Sequence, residues 1–239
     1  MSKIFEALQL SGSDFAEKPA AIAPGPTQPV PRSFSDKLMA LYRRIETTIE
    51  CDGGKVVSIA GLQSTEQSFT YAFELARMAS TQLKLRVLLL CSHQSGCQQF
   101  ILRDPQLAHG WESVVFDGAP VSEVIHRLTS PSISVSQLNA TPESLAGIVT
   151  SPLFRPVLRA LRSEYDLIVI DTQPFSEGVD AVLVSEVADG SVLVVDAGVT
   201  RWQVIRKAVE QIESQNGTLL GVVLNKRRHY IPNFIYRRL

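Results

Sequence analysis

Five short apolar runs punctuate the chain: Val56–Ala60, Val87–Leu90, Leu167–Ile170, Val192–Val195 and Leu219–Leu224. None alternates strictly between apolar and polar positions, so each reads as a strand covered on both faces. Between the runs, apolar residues recur at helical spacing over about 35–49, 67–82, 152–163 and 201–214. Strands of this kind separated by helices predict an α/β fold, a doubly wound and mainly parallel sheet. Ligands of such sheets sit beyond the carboxyl ends of the strands. The residues following each run are therefore the first place to look for chemistry. No internal repeat is visible.

The pattern breaks down before residue 35. Residues 1–10 form a short candidate helix, with Ile4 and Leu8 one turn apart beside Phe5. Residues 11–34 are rich in proline and alanine and hold five of the 13 prolines, Pro19, Pro24, Pro26, Pro29 and Pro31. Such a stretch acts as an extended spacer. The expected organisation is a tethered helix, a linker, and one domain over 35–239. A short helix on a tether either docks on a partner or does nothing visible, and docking is the expectation because Ile4, Phe5 and Leu8 would otherwise be exposed for no gain.

Composition narrows the class. Apolar residues make up 45% and charged residues 20%, which excludes a wholly disordered chain. Lys plus Arg is 23 against 24 Asp plus Glu, so no global basic field argues for nucleic acid. The apolar runs are too short to span a bilayer, and the first residues lack the apolar stretch of a secretory signal. Three cysteines, an odd number, fit a reducing compartment. The expectation is a cytoplasmic protein.

Two strand ends carry recognisable spacing. After the first run, Gly61-Leu62-Gln63-Ser64-Thr65-Glu66-Gln67-Ser68 has the length and placement of a phosphate loop, G-x-x-x-x-G-K-[ST], opening a helix. Its first glycine and final serine are present. Glu66 replaces the second glycine and Gln67 the lysine. The segment Tyr165-Asp166-Leu167-Ile168-Val169-Ile170-Asp171-Thr172 reads as a Walker B strand ending in its acid. Asp171 is then either a magnesium ligand or a cap for the following turn. Cys91, His93 and Cys97 fall close together, but no fourth ligand follows at standard spacing, so an ordinary strand-end loop is expected and no metal. His109, His126 and His229 are scattered, and no G-x-S-x-G elbow supports a hydrolase triad.

These segments together resemble the cytoplasmic domain of the bacterial tyrosine kinases (BY-kinases) of capsule and exopolysaccharide production, relatives of the deviant Walker ATPases. Tyr165 to Pro174 matches the family's Y-D-x-[IV]-[IV]-[IV]-D-T-P-P with one change, Gln173. The opening Met1 to Leu8, Ala188-Asp189-Gly190, Thr200-Arg201, Gly221 to Asn225 and the closing Ile231 to Leu239 are also similar. The resemblance implies a P-loop NTPase-type sheet. It also implies a membrane partner, the cytoplasmic face of a polysaccharide co-polymerase or chain-length protein, at the inner membrane. A homo-oligomer, or a hetero-oligomer with an active homologue, is a further implication.

The departures from the family define the functional expectation. The phosphate loop ends Glu66-Gln67-Ser68 where the family has G-K-[ST]. The family's second acidic motif, D-x-D-x-R, aligns with Cys91-Ser92-His93-Gln94-Ser95, so both carboxylates are gone. Its E-x-x-R-x-x-R helix aligns with Ala40, Arg43 and Glu46, of which only Arg43 survives. A carboxylate about 4 Å from a phosphate charge costs about 4 kcal/mol at an effective dielectric near 20. Gln67 cannot neutralise transferring charge, which is most of phosphoryl-transfer catalysis. Gly61, Glu66, Gln67, Ser68, Cys91, His93 and Asp171 are thus expected to be vestigial positions, with neither ATP nor magnesium bound. The expected role is an inactive scaffold or regulator of capsule or biofilm polymer synthesis. An active autokinase or ATPase with an atypical phosphate site, using ATP and magnesium, is the alternative. The basic tail, Lys226-Arg227-Arg228 through Arg237-Arg238, suggests a weak membrane-surface contact, a partner contact or a solvated end.

Overall fold

The computed structural model describes residues 32–63, 65–92, 110–128, 133–138, 141 and 144–225. Among these residues, seven strands form one sheet in the order β3-β4-β2-β5-β1-β6-β7. The strands are β1 (Lys55–Gly61), β2 (Val87–Cys91), β3 (His126–Arg127), β4 (Ser134–Gln137), β5 (Leu167–Thr172), β6 (Gly190–Asp196) and β7 (Leu219–Asn225). All neighbours pair in parallel except β3, which runs antiparallel to β4 at one edge. The helices are α1 (Arg32–Thr48), α2 (Thr65–Gln82), α3 (Glu112–Phe116), α4 (Ser144–Thr150), α5 (Phe154–Glu164), α6 (Asp180–Val187) and α7 (Trp202–Ser214).

Alternate residues of the central strands feed two cores. Val57, Ile59, Leu89, Cys91, Leu167 and Val169 pack with Leu38 and Ile45 of α1 and Ala72 and Leu75 of α2. Val56, Leu88, Leu90, Ile168 and Ile170 pack with Trp111 and with Phe154, Val157, Leu158 and Leu161 of α5. The latter four recur at i, i+3, i+4 and i+7, which sets one helical stripe against the sheet. Each such side chain contributes about 1.5–3 kcal/mol when fully buried. This two-sided burial is why the strands read as continuous apolar runs.

Two expectations change. The first helix of the domain begins at Arg32, inside the expected linker, where Phe34 packs on Tyr71 in a tilted contact with ring centroids 4.9 Å apart. The sheet also extends through β4 and β3, and α6 follows β5; their short segments lack the long periodic signal that marks the other elements. The tethered helix over 1–10 and the basic tail lie outside the described residues.

Two matched motifs turn out to hold the frame together. Asp189 accepts two hydrogen bonds from Arg162, both 2.7 Å, and one from the Val56 N–H at 2.8 Å. Arg162 also donates to the Gly54 carbonyl at 3.0 Å. Gly190 packs so closely on Leu220 that a Cβ there would lie 2.5 Å from that side chain. Tyr165 is buried, with its hydroxyl pushed up by burial, and Asp166 pairs with Arg86 at 2.7 Å. The neighbouring Gly54 leaves no room for a side chain, since a Cβ would meet the Tyr165 carbonyl at 1.8 Å.

Candidate functional site

The carboxyl ends of β4, β2, β5 and β1 form one level of the sheet. Cys91 is in register with Gln137 on one side and Asp171 on the other, and Asp171 is in register with Ile59. Side chains alternate along each strand, so Gln137, Cys91, Asp171 and Ile59 share the face covered by α2. Asp171 is fully buried there. Ser68, in the first turn of α2, is also fully buried and lies over the same face. Cys91 and Asp171 are thus neighbours at the strand ends, and Ser68 is in the first turn of the helix that covers their face.

Gly61 closes β1, and the chain enters α2 at Thr65. The Leu62 N–H donates to the Val194 carbonyl at 3.2 Å, so it belongs to the sheet rather than to a phosphate cradle. The turn after β5 crosses this point: Phe175 and Ser176 N–H groups donate to the Gly61 and Leu62 carbonyls at 3.0 and 3.2 Å. The phosphate-loop entry and the post-β5 turn are therefore one bonded unit. Glu66 and Gln67 fall in the helix at backbone level, and their side chains lie outside the description, as does His93.

Sequence reasoning missed the neutral polar groups at this end. Ser92 Oγ, Thr172 Oγ1 and Gln173 Nε2 are buried without a hydrogen-bond partner among the described residues. Ser92 follows Cys91, and its N–H donates to the Asp171 carbonyl at 3.1 Å. Alternation puts Ser92 and Thr172 on the face opposite Asp171. Asp180 was also missed. It opens α6, half-buried, and burial raises its carboxyl above the ordinary value. Only a short, weakly patterned segment preceded it.

Cys91 is disulfide-bonded and Cys51 is a free thiol. A disulfide sulfur is no thiolate ligand for a soft metal. His126 is buried in β3, away from the corner, while His109, His229 and Cys97 lie outside the described residues. Among the described residues, no helix is long and apolar enough to cross a membrane.

Among the described residues, those at this corner do not fit a two-carboxylate magnesium site. Magnesium takes hard oxygen donors in near-octahedral array. The β2–β5 register offers one carboxylate, Asp171, beside the sulfur of Cys91.

Comparison with known proteins bears on the relationship and the fold. No family model matches the chain. It is 25% identical over 196 residues to tyrosine-protein kinase CpsD of Streptococcus agalactiae, covering 81% of this chain and 85% of that protein. It is 27% identical over 199 residues to tyrosine-protein kinase YwqD of Bacillus subtilis, covering 78% and 80%. The kinase domain of Escherichia coli tyrosine kinase ETK superposes with a TM-score of 0.68 at 17% identity, covering 94% of this chain and 96% of that one. By sequence over most of its length and by fold, the chain is a homologue of the bacterial tyrosine-protein kinases.

Proposed function

We propose that this chain is a catalytically inactive BY-kinase homologue, a scaffold or regulator in bacterial exopolysaccharide synthesis and export, whether of capsule or of biofilm polymer. It works in the cytoplasm, peripheral at the inner membrane, on the cytoplasmic face of a polysaccharide co-polymerase. The observation that carries the reading is the register of Cys91 with Asp171. Where the family aligns a carboxylate with the Walker B acid, this chain has a sulfur. With Glu66 and Gln67 in place of the glycine and lysine, the loop does not carry the lysine charge that phosphoryl transfer uses. No ATP or magnesium is therefore assigned to it, and no transfer step is derived.

Calorimetry with millimolar ATP and magnesium tests this directly. The expected outcome is no saturable heat and no rise in melting temperature. A dissociation constant in the low micromolar range would overturn it, because ligand at about 100 times that value stabilises by about 2.7 kcal/mol.

One pair of residues favours the alternative, an active kinase or ATPase with a rebuilt site. Ser68 and Asp171 are both retained, fully buried and over the same face. The discriminating variant is Asp171→Asn, scored for polymer output at equal protein level. The scaffold reading expects unchanged output.

A further inference from the structure

We infer that the outer edge of β7 pairs antiparallel with β7 of a second copy of this chain, which brings the two α7 helices side by side. Among the described residues β7 is an edge strand, and Leu219–Asn225 holds neither charge nor proline, the usual guards of an edge. The Ala197 N–H donates to the Asn225 carbonyl at 2.9 Å, so Asn225, Val223 and Gly221 turn their main-chain groups to β6. Val222 and Leu224 turn theirs outward. Leu220 faces outward too, but its carbonyl accepts a hydrogen bond from the Arg44 guanidinium of α1. The free edge is therefore the carboxyl half of β7. A two-fold axis at Val223 uses that half alone: Val222 pairs with the second copy's Leu224, and Leu224 with its Val222.

The helices fit the same axis. Ile205, Ala208 and Ile212 set α7 against Leu193 and Val195 of β6 and Leu219 of β7. A helix over the β6–β7 boundary lies about one strand spacing from the axis, so the two α7 helices lie about 10 Å apart, at helix-packing distance. Trp202, Arg206, Val209 and Glu213 recur at i, i+4, i+7 and i+11, which makes one flank of α7. The right-handed β6–α7–β7 crossover turns that flank to the open edge and Val204 to the opposite side, where α6 packs. Trp202 is 68% exposed there. Val222 and Leu224, in register with Leu193 and Val195, are exposed on the same face of the sheet.

The charges suit a second copy. Arg201, Arg206 and Lys207 lie at the start and in the amino half of α7, Glu210 and Glu213 in its carboxyl half, and Arg206 pairs with Glu210 at 2.8 Å. Asp196, at the end of β6, accepts from the Asn225 amide at 3.2 Å. These described charges balance, so no net field calls for a charged partner. In an antiparallel pair of helices each basic half meets the other copy's acidic half, and the surface is complementary to itself. This inference is independent of whether the carboxyl-end corner binds nucleotide.

Sedimentation equilibrium of the full-length chain, from about 1 to about 100 μM, tests the pairing. The expected result is a reversible monomer–dimer equilibrium. Val222→Pro removes an outward N–H and no ladder bond, so it should weaken the dimer about tenfold or more while the monomer melts near the parent. Trp202→Ala and Glu213→Lys should each weaken it as well. Val223→Cys sets two thiols across the axis at the close spacing of a non-hydrogen-bonded pair. Oxidation with diamide should then give a covalent dimer that the parent chain does not form. A monomer throughout the concentration range overturns the inference. So does a dimer that Val222→Pro leaves intact, or one that Val223→Cys does not trap, since either would place the contact on another surface. A monomer whose melting temperature falls on removing residues 226–239 would assign the edge to the chain's own tail and overturn the inference equally.

Discussion

Cys91 and Asp171 are register partners at the carboxyl ends of adjacent parallel strands, on the same face of the sheet. Adjacent strands lie about 4.8 Å apart, so whatever ionises at these two positions interacts strongly. A disulfide sulfur beside the fully buried Asp171 adds no second negative charge. Two carboxylates there would call for a cation.

This gives the first prediction. Cys91→Asp should lower the melting temperature at pH 7 relative to Cys91→Ser, which also removes the disulfide. Paired carboxylates hold a proton more tightly in the folded chain than in the unfolded one. The penalty is therefore present above the ordinary carboxylate range and fades as pH falls through it. Millimolar magnesium should restore part of the loss in the Asp variant and none in the Ser variant. Thermal melts at pH 7 and pH 4, with and without magnesium, measure this. Equal melting of the two variants would show that position 91 does not face Asp171.

Asp189 carries a structural prediction. It holds Arg162 through a bidentate pair and caps the Val56 N–H at the start of β1. Both side chains are about four-fifths buried, with 18% and 20% exposure. Removing one partner from a fully buried pair costs about 3–5 kcal/mol, so about 2–3 kcal/mol is expected here for Asp189→Ala. Arg162→Ala should cost a similar amount, and the double variant much less than the sum. Urea unfolding of the three variants decides it.

Asp180 should show the opposite sign. Burial raises its carboxyl, so the folded chain binds a proton more tightly than the unfolded chain. Its ionised form therefore lowers stability at neutral pH, and the penalty vanishes below the ordinary carboxylate range, where both states are protonated. Asp180→Asn should raise the melting temperature at pH 7 and leave it unchanged near pH 3. A lower melting temperature at pH 7 would mean that the carboxylate is favoured there by the amino end of α6.

The long strands and helices were legible because both faces of β1, β2, β5 and β6 are buried, which writes unbroken apolar runs into the chain. The corner was legible in part for the same reason: Gly61, Cys91 and Asp171 follow such runs directly, and Ser68 was placed by the loop spacing. Strands β3 and β4 were not legible. His126–Arg127 is too short to show a period, and Ser134–Gln137 alternates serine with its apolar and amide positions. The unpartnered Ser92, Thr172 and Gln173 were invisible for another reason. Nothing in a sequence distinguishes a buried hydroxyl or amide from a solvated one. The role of Asp189 was visible only as a motif, since its partner Arg162 is 27 residues away.

The phosphate loop supplies the last prediction. Glu66→Gly with Gln67→Lys changes the local charge by two and returns to the loop the residue types that the family uses. Each charge about 4 Å from a phosphate oxygen is worth about 4 kcal/mol at an effective dielectric near 20. Even half of the two charges' summed effect amounts to about three decades of affinity. The double variant should therefore bind ATP with a dissociation constant of about 10 μM, and nucleotide at about 1 mM should then stabilise it by about 2.7 kcal/mol. Tyrosine phosphorylation should not appear, because Cys91 and His93 still stand where the family has carboxylates. Adding Cys91→Asp and His93→Asp to the pair is the complementary arm. If those four changes produce phosphotyrosine while the loop pair alone does not, the missing acids are what silences the site. Turnover in the loop pair alone would instead show that this corner holds a working base, and the inactive reading would fall.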